Sequence, residues 1–229
     1  MSGKTRLEGD GDCAWISMDD GKVNVMSKDM LDEVASRLDE ARDASVTVLS
    51  GRNGIFSAGF DLKAFQRGGE ASQQMVTAGV RLIEKMLEHP RPIIAACTGH
   101  AYPMGAFLML ASDLRIGVAG SWKIGMNEVA IGLTVPHFAL ALARHRLSPP
   151  GFARVTTAAM FAPEQALAAG YLDAVVDDSQ LRSTVADAAT QFLALNRESY
   201  AGTKARINAA VLRAVREGWE MDQRRPVGT

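Results

Sequence analysis

Short apolar runs bounded by turn residues alternate along this chain with longer stretches whose apolar residues recur every three or four positions. Cys13–Met18, Val46–Ser50, Ile93–Cys97, Leu114–Val118 and Ala174–Val176 read as strands. They are short and apolar, and Gly, Pro, Asp or Asn residues flank them, as suits strands buried in a sheet. Ser27 has the chemistry of an N-cap, and the helix it opens should run to about Arg42 with Met30, Leu31, Val34 and Leu38 on one face. The same period predicts a helix over 70–88, with Met75, Val76, Val80, Ile83 and Leu87 facing inward. Further helices are predicted over 103–112, 136–147, 163–169, 180–195 and 200–219, the last trailing into a polar, frayed tail. Gly170 supplies a C-terminal stop, and Pro149-Pro150-Gly151 reads as a break. Between the first strands and helices lies an apolar loop, 55–65, without a strand period, and Gly68-Gly69 follows it as a mobile link.

Strands that alternate with helices imply an α/β fold with right-handed crossovers and a largely parallel sheet. The last eighty residues are mostly helical and read as an annex for packing or subunit contacts. The expected division is a core domain over 1–195 and a C-terminal helical extension over 196–229.

Composition narrows the classes. The 229 residues are 47% apolar and 22% charged, with a formal net charge of −1. Such a balance gives no electrostatic footprint for nucleic acid. No apolar run approaches the ~20 residues that cross a bilayer, because Asp113 and Arg115 interrupt the longest. The first residues show no apolar signal region. Cys13 and Cys97 both sit in strand-like runs and read as reduced core residues. A cytoplasmic protein without membrane or nucleic-acid partners is the expectation.

Candidate chemistry concentrates between Pro92 and Leu133. The strand ending at Cys97 turns through 98–102 into a helix, with Pro103 at the first helical position. The free N–H groups of that helix start, near Met104 and Gly105, suit a developing negative charge on oxygen. Glu128 is the sole acid in the apolar segment 124–133. An oxyanion site and a desolvated carboxylate are the parts needed to move a proton beside a carbonyl. Other side chains read as structural: Asp113 as a tie between its helix and the next strand, and His100 and His137 as packing histidines. Arg144, His145 and Arg146 read as a solvated basic face, and Phe107 and Met109 as core or pocket lining. No His, Cys and acid cluster has metal-ligand spacing, and no Gly-rich loop has a dinucleotide or P-loop pattern.

Five motifs in order resemble the crotonase (enoyl-CoA hydratase/isomerase) superfamily: Gly59-Phe60-Asp61-Leu62-Lys63, Ile93-Ile94-Ala95-Ala96 running into Gly99, Ser112-Asp113-Leu114-Arg115-Ile116, Glu128-Val129-Ala130-Ile131-Gly132-Leu133, and 166–175. The resemblance extends from about residue 13 to 200. It implies a crotonase-like core of repeated β-β-α turns with a C-terminal helical region, assembled as a homotrimer or hexamer. It also implies an acyl-CoA thioester substrate, with no cofactor beyond the coenzyme A of the substrate itself. By position, the oxyanion donors are the backbone N–H groups of Phe60 and Met104. Ser57, Ala58, Leu62, Gly105 and Phe107 are implied to line the substrate site, and Glu128 to be the working carboxylate.

The departures from the family pattern bear on the reaction. Pro103-Met104-Gly105 stands where three glycines are usual, so the Met104 side chain is expected beside the acyl group. Phe107 stands where the family's hydratases carry the first of two water-holding glutamates, and Glu128 matches the second. Phenylalanine neither orients water nor exchanges a proton. The last helix of typical family members is expected to be short or missing here after Trp219. These features favour movement of a double bond from the 3- to the 2-position of an enoyl-CoA by Glu128 alone. The alternatives are a hydratase-like lyase or another enolate-stabilising reaction, and a non-catalytic acyl-CoA binder.

Overall fold

The computed structural model describes residues 3–9 and 12–224. Its elements in chain order are β1 (Thr5–Gly9), β2 (Cys13–Met18), β3 (Val25–Met26), α1 (Lys28–Glu40), β4 (Val46–Ser50), β5 (Gly54–Ser57), β6 (Gly59–Phe60), α2 (Leu62–Arg67) and α3 (Gly69–Glu88). There follow β7 (Ile93–Cys97), β8 (Gly99–Ala101), α4 (Pro103–Ala111), β9 (Leu114–Val118), β10 (Ile124–Gly125), a 3-10 turn (Glu128–Ile131) and α5 (His137–Arg146). The chain ends with α6 (Pro149–Ala153), a second 3-10 turn (Arg154–Thr157), β11 (Met160–Phe161), α7 (Pro163–Ala169), β12 (Ala174–Val176), α8 (Asp178–Leu193) and α9 (Arg197–Arg224).

A six-stranded sheet in the order β1-β2-β4-β7-β9-β12 carries the fold. Only β1 against β2 is antiparallel; every other pair in this sheet is parallel. Alternation sorts the side chains of its middle strands to opposite faces. Val46, Val48, Ile94 and Ala96 meet Leu181, Val185 and Ala189 of α8. Leu49, Ile93, Ala95 and Cys97 join the main core with α1, α3 and α4. Both faces are covered, which is why these strands read as unbroken apolar runs rather than as alternating ones. A four-stranded sheet, β11-β10-β8-β5, and the parallel pair β3-β6 stand beside the main sheet and support the loops that matter for chemistry.

The long apolar periods behave as read. Ser27 caps α1 by accepting from the Met30 N–H, and Met30, Leu31, Val34 and Leu38 are buried. All five inward positions expected of α3 are buried too, each contributing roughly 1.5–3 kcal/mol of apolar transfer. Asp113 ties as expected: its Oδ2 accepts from the Ile93 N–H at 2.8 Å, at the start of the neighbouring strand, and from Lys204 Nζ of α9 at 2.6 Å. His100 is a packing residue, with Nδ1 accepting from the Lys123 N–H and its ring edge-on to Trp122.

Several expectations change. The loop 55–65 holds β5, β6 and the start of α2, whose N-cap Asp61 accepts from the Lys63 N–H. Pro149-Pro150-Gly151 follows the end of α5, as the break expected there, and in addition opens a short helix of its own. Pro149 and Pro150 occupy first-turn positions that need no N–H, and Ser148 Oγ accepts from the Gly151 N–H. β12 enters the main sheet beside β9, so the last eighty residues are not merely a helical annex. The final helix does not stop at Trp219 but continues to Arg224; residues 225–229 of the expected tail lie outside the described residues. Among the described residues no helix is long and apolar enough to cross a membrane.

Candidate active site

Two crossings of the chain build the site. Gly59 adopts φ +87°, and a methyl group there would stand 3.5 Å from the Pro103 nitrogen, so the turn into β6 lies against the start of α4. The positive φ is what favours glycine here, since a methyl group at that distance would be in ordinary van der Waals contact. Phe60 follows in β6, paired with Met26 of β3. Across the approach, Pro103 is the first residue of α4 and the Tyr102 side chain makes no capping bond. The Met104 and Gly105 amides therefore belong to the N–H groups that a helix start leaves without an internal partner. Ser57 holds this corner together. Its Oγ donates to the Asn24 carbonyl at 2.8 Å and accepts from the Gly59 N–H at 3.0 Å, while its own carbonyl accepts from the Tyr102 N–H at 2.9 Å.

Beyond this corner opens a cavity of about 740 Å³. Ala58, Gly59, Phe60, Leu62, Phe65 and Val76 line one side of the chain's path, and Phe107, Glu128, Ile131, Leu133, Pro136 and Trp219 another. The sequence-derived residues Phe60, Ala58, Leu62, Phe107 and Glu128 thus come together in one space. Ser57, Met104 and Gly105 do not line it. Gly105 packs on Ser57, where a methyl group would meet the Ser57 Cβ at 2.8 Å. The Met104 side chain, expected beside the acyl group, is fully buried and turns toward α3, with its sulfur near Gly79. Packing against α3 is what accommodates the bulk of this side chain at the start of α4.

Glu128 opens the 3-10 turn after β10 and is 6% exposed. No other described residue gives either of its carboxylate oxygens a hydrogen bond. Burial among apolar groups pushes its pKa up to about 7, offset only in part by its own backbone N–H. A carboxyl poised there exchanges protons in both directions near neutral pH. Tyr171 lies close enough for the Glu128 charge to add to the burial that holds its phenol above the ordinary range.

Two further carboxylates border the same cavity, and both are engaged. Glu70 accepts from the Gln74 side chain at 2.8 Å. Asp222 of α9 accepts from the His137 N–H at 3.0 Å, the His137 ring at 2.7 Å and the Phe138 N–H at 3.3 Å. His137 therefore serves the start of α5. Phe107 is 1% exposed and packs edge-on against Phe138, with ring centres 5.8 Å apart. The walls from α9, Trp219, Asp222 and Gln223, escaped the sequence reading. Helical periodicity shows that they share a face but not that this face meets Glu128.

Comparison with known proteins bears on the family and the fold. The sequence profile described as enoyl-CoA hydratase/isomerase matches residues 8–226. The crystal structure of an enoyl-CoA hydratase/isomerase family protein from Pseudomonas syringae superposes with a TM-score of 0.95 at 39% identity, covering 97% of each chain. The apo structure of an enoyl-CoA isomerase from Mtb gives a TM-score of 0.93 at 36% identity, covering 98% of this chain and 100% of that one. A probable enoyl-CoA hydratase of Mycolicibacterium paratuberculosis is 33% identical over 213 residues, which span 90% of this chain and 81% of the relative.

Proposed function

The chain belongs to the enoyl-CoA hydratase/isomerase family of acyl-CoA enzymes, and we propose that its reaction is the shift of a carbon–carbon double bond from the 3- to the 2-position of an enoyl-CoA. The observation that carries this reading is that, among the described residues, Glu128 is the one cavity carboxylate that no other residue partners, and that Phe107, at the position the resemblance gives to the hydratases' other glutamate, borders the same cavity. The thioester carbonyl sits at the corner of Gly59 and α4 and accepts from the Phe60 and Met104 amides. Carbonyl polarisation acidifies C2, and Glu128 takes a proton from it. The electron pair spreads over the dienolate, with its charge on the thioester oxygen. The same carboxyl then returns the proton to C4, leaving the double bond conjugated with the carbonyl and Glu128 ionised again. Each oxyanion donor in such a site contributes about 3–4 kcal/mol of barrier lowering.

Hydration is the second reading, supported by the hydratase names of relatives such as the Mycolicibacterium protein. The test offers purified protein a 3-enoyl-CoA and a 2-enoyl-CoA in parallel, with Glu128→Gln as control. Conversion of the 3-enoyl substrate alone, lost in the variant, is the expected result. Hydration of the 2-enoyl substrate at a comparable rate would overturn the isomerase reading in favour of a lyase.

A further inference from the structure

Resting on the acyl-CoA reading above, we propose that Trp219, clamped by Gly218 and Asp222 of α9 onto the first turn of α5, is the end-stop for the acyl chain and restricts the site to chains of medium length. Two contacts one helical turn apart make the clamp. Gly218 allows α9 to touch the start of α5: a methyl group there would stand 2.8 Å from the Phe138 nitrogen and 2.9 Å from the His137 carbonyl carbon. Four residues on, Asp222 supplies the cap that Pro136 cannot, taking the N–H groups of His137 and Phe138 and the His137 ring. A carboxylate at a helix N-terminus is also favoured by the helix dipole.

The clamp fixes what stands between its two contacts. Trp219 meets Phe138 edge-on at 6.1 Å, and Phe138 meets Phe107 edge-on at 5.8 Å. Phe107 lies one turn into α4 from the Met104 amide. The aromatic series therefore leads from the first turns of α4, beside the Gly59 corner, to Trp219, and both Phe107 and Trp219 border the cavity that Glu128 also borders. Edge-to-face aromatic contacts fix the rings in place, beyond their apolar burial. The cavity volume of about 740 Å³, at about 30 Å³ for each atom-sized group by the share a water takes in the liquid, holds roughly 25 non-hydrogen atoms. With the whole pantetheine arm of coenzyme A inside it, about eighteen non-hydrogen atoms by composition, the proposed site leaves room for roughly six to eight acyl carbons.

Isothermal calorimetry with saturated butanoyl-, octanoyl- and dodecanoyl-CoA tests this without depending on turnover. The wild-type protein is expected to bind octanoyl-CoA tightest. Trp219→Ala, and the milder Trp219→Leu, should shift the preference toward dodecanoyl-CoA by tenfold or more relative to octanoyl-CoA. Asp222→Asn, which loosens the clamp without emptying the wall, should shift it less in the same direction. Variants that bind all three chains with the wild-type order of preference would overturn the end-stop while leaving the acyl-CoA reading intact. Failure of the wild-type protein to bind any of the three would overturn both.

Discussion

Two buried carboxylates face the same cavity and are treated in opposite ways. Asp222 has three donors around it and joins α9 to α5. Glu128, on a short 3-10 turn, has none. Burial alone does not make an acid reactive: a carboxylate with its lone pairs occupied is held in place as a charged structural link. Burial without partners leaves a group that gains by taking a proton, and the raised pKa of Glu128 is that gain. Asp113 stands on the side of Asp222, half-buried, with Lys204 of α9 and the Ile93 N–H as donors.

The largest expected effect separates the two roles outright. Glu128→Gln keeps shape and volume but removes the base, and isomerase turnover should fall by about 10²–10⁴; Asp222→Asn should lose less than tenfold at saturating octenoyl-CoA. Equal losses in a steady-state assay would break the comparison.

Stripping a partner from a structural carboxylate should make it costly to bury. Lys204 and Asp113 approach to 2.6 Å with side chains only 5% and 12% exposed. Lys204→Met leaves that charge without its cation, and a loss of about 3–5 kcal/mol is expected from denaturant midpoints. A loss below 1 kcal/mol would show that Asp113 is more accessible to water than its surroundings indicate.

Stability against pH sharpens the contrast next. Because the folded state raises the Glu128 pKa from 4.5 to about 7, it holds that proton more tightly than the unfolded chain does. This contribution is fully present below pH 4.5 and is lost as pH rises through 7, a cost of about 3 kcal/mol at pH 8. Glu128→Gln should therefore be more stable than the wild type at pH 8 and lose that advantage by pH 4.5. One buried and one half-buried histidine act in the other direction. His89 and His145 are pulled below 6.5, first by burial, and each Nε2 lacks a partner. Their contribution is present above pH 6.5 and fades as pH falls through their folded values. Comparison of wild type and Glu128→Gln cancels this shared acid limb.

The smallest effect is the cap. Asp222→Ala should cost about 1–2 kcal/mol by thermal melting, with Asp222→Asn costing less because its amide oxygen still accepts from the α5 N–H groups. No change in either would mean that water replaces the side chain at the start of α5.

What was legible in the sequence follows from the strength of the local signal. Val46–Ser50 and Ile93–Cys97 stand out because burial on both faces leaves no polar interruption. β8, β10 and β11 are two or three residues long, too short for any period to show, and β1 is a polar edge strand. Glu128 was visible because an isolated acid in an apolar segment is a local anomaly. Asp222 looked like any acid on a long charged helix, since its partners His137 and Phe138 lie on a different helix far back in the chain. The Met104 side chain misled for a related reason: its position near the oxyanion corner is local, but its direction is set by the packing of α3.

The most direct test is the pH dependence of kcat/KM for isomerisation of a 3-enoyl-CoA. With Glu128 as the sole base, the rate should rise with pH to a plateau, the midpoint falling at about 7, and the residual rate of Glu128→Gln should show no such limb. A profile already flat from pH 5 upward, or a limb that survives in Glu128→Gln, would contradict the assignment of Glu128 as the proton carrier.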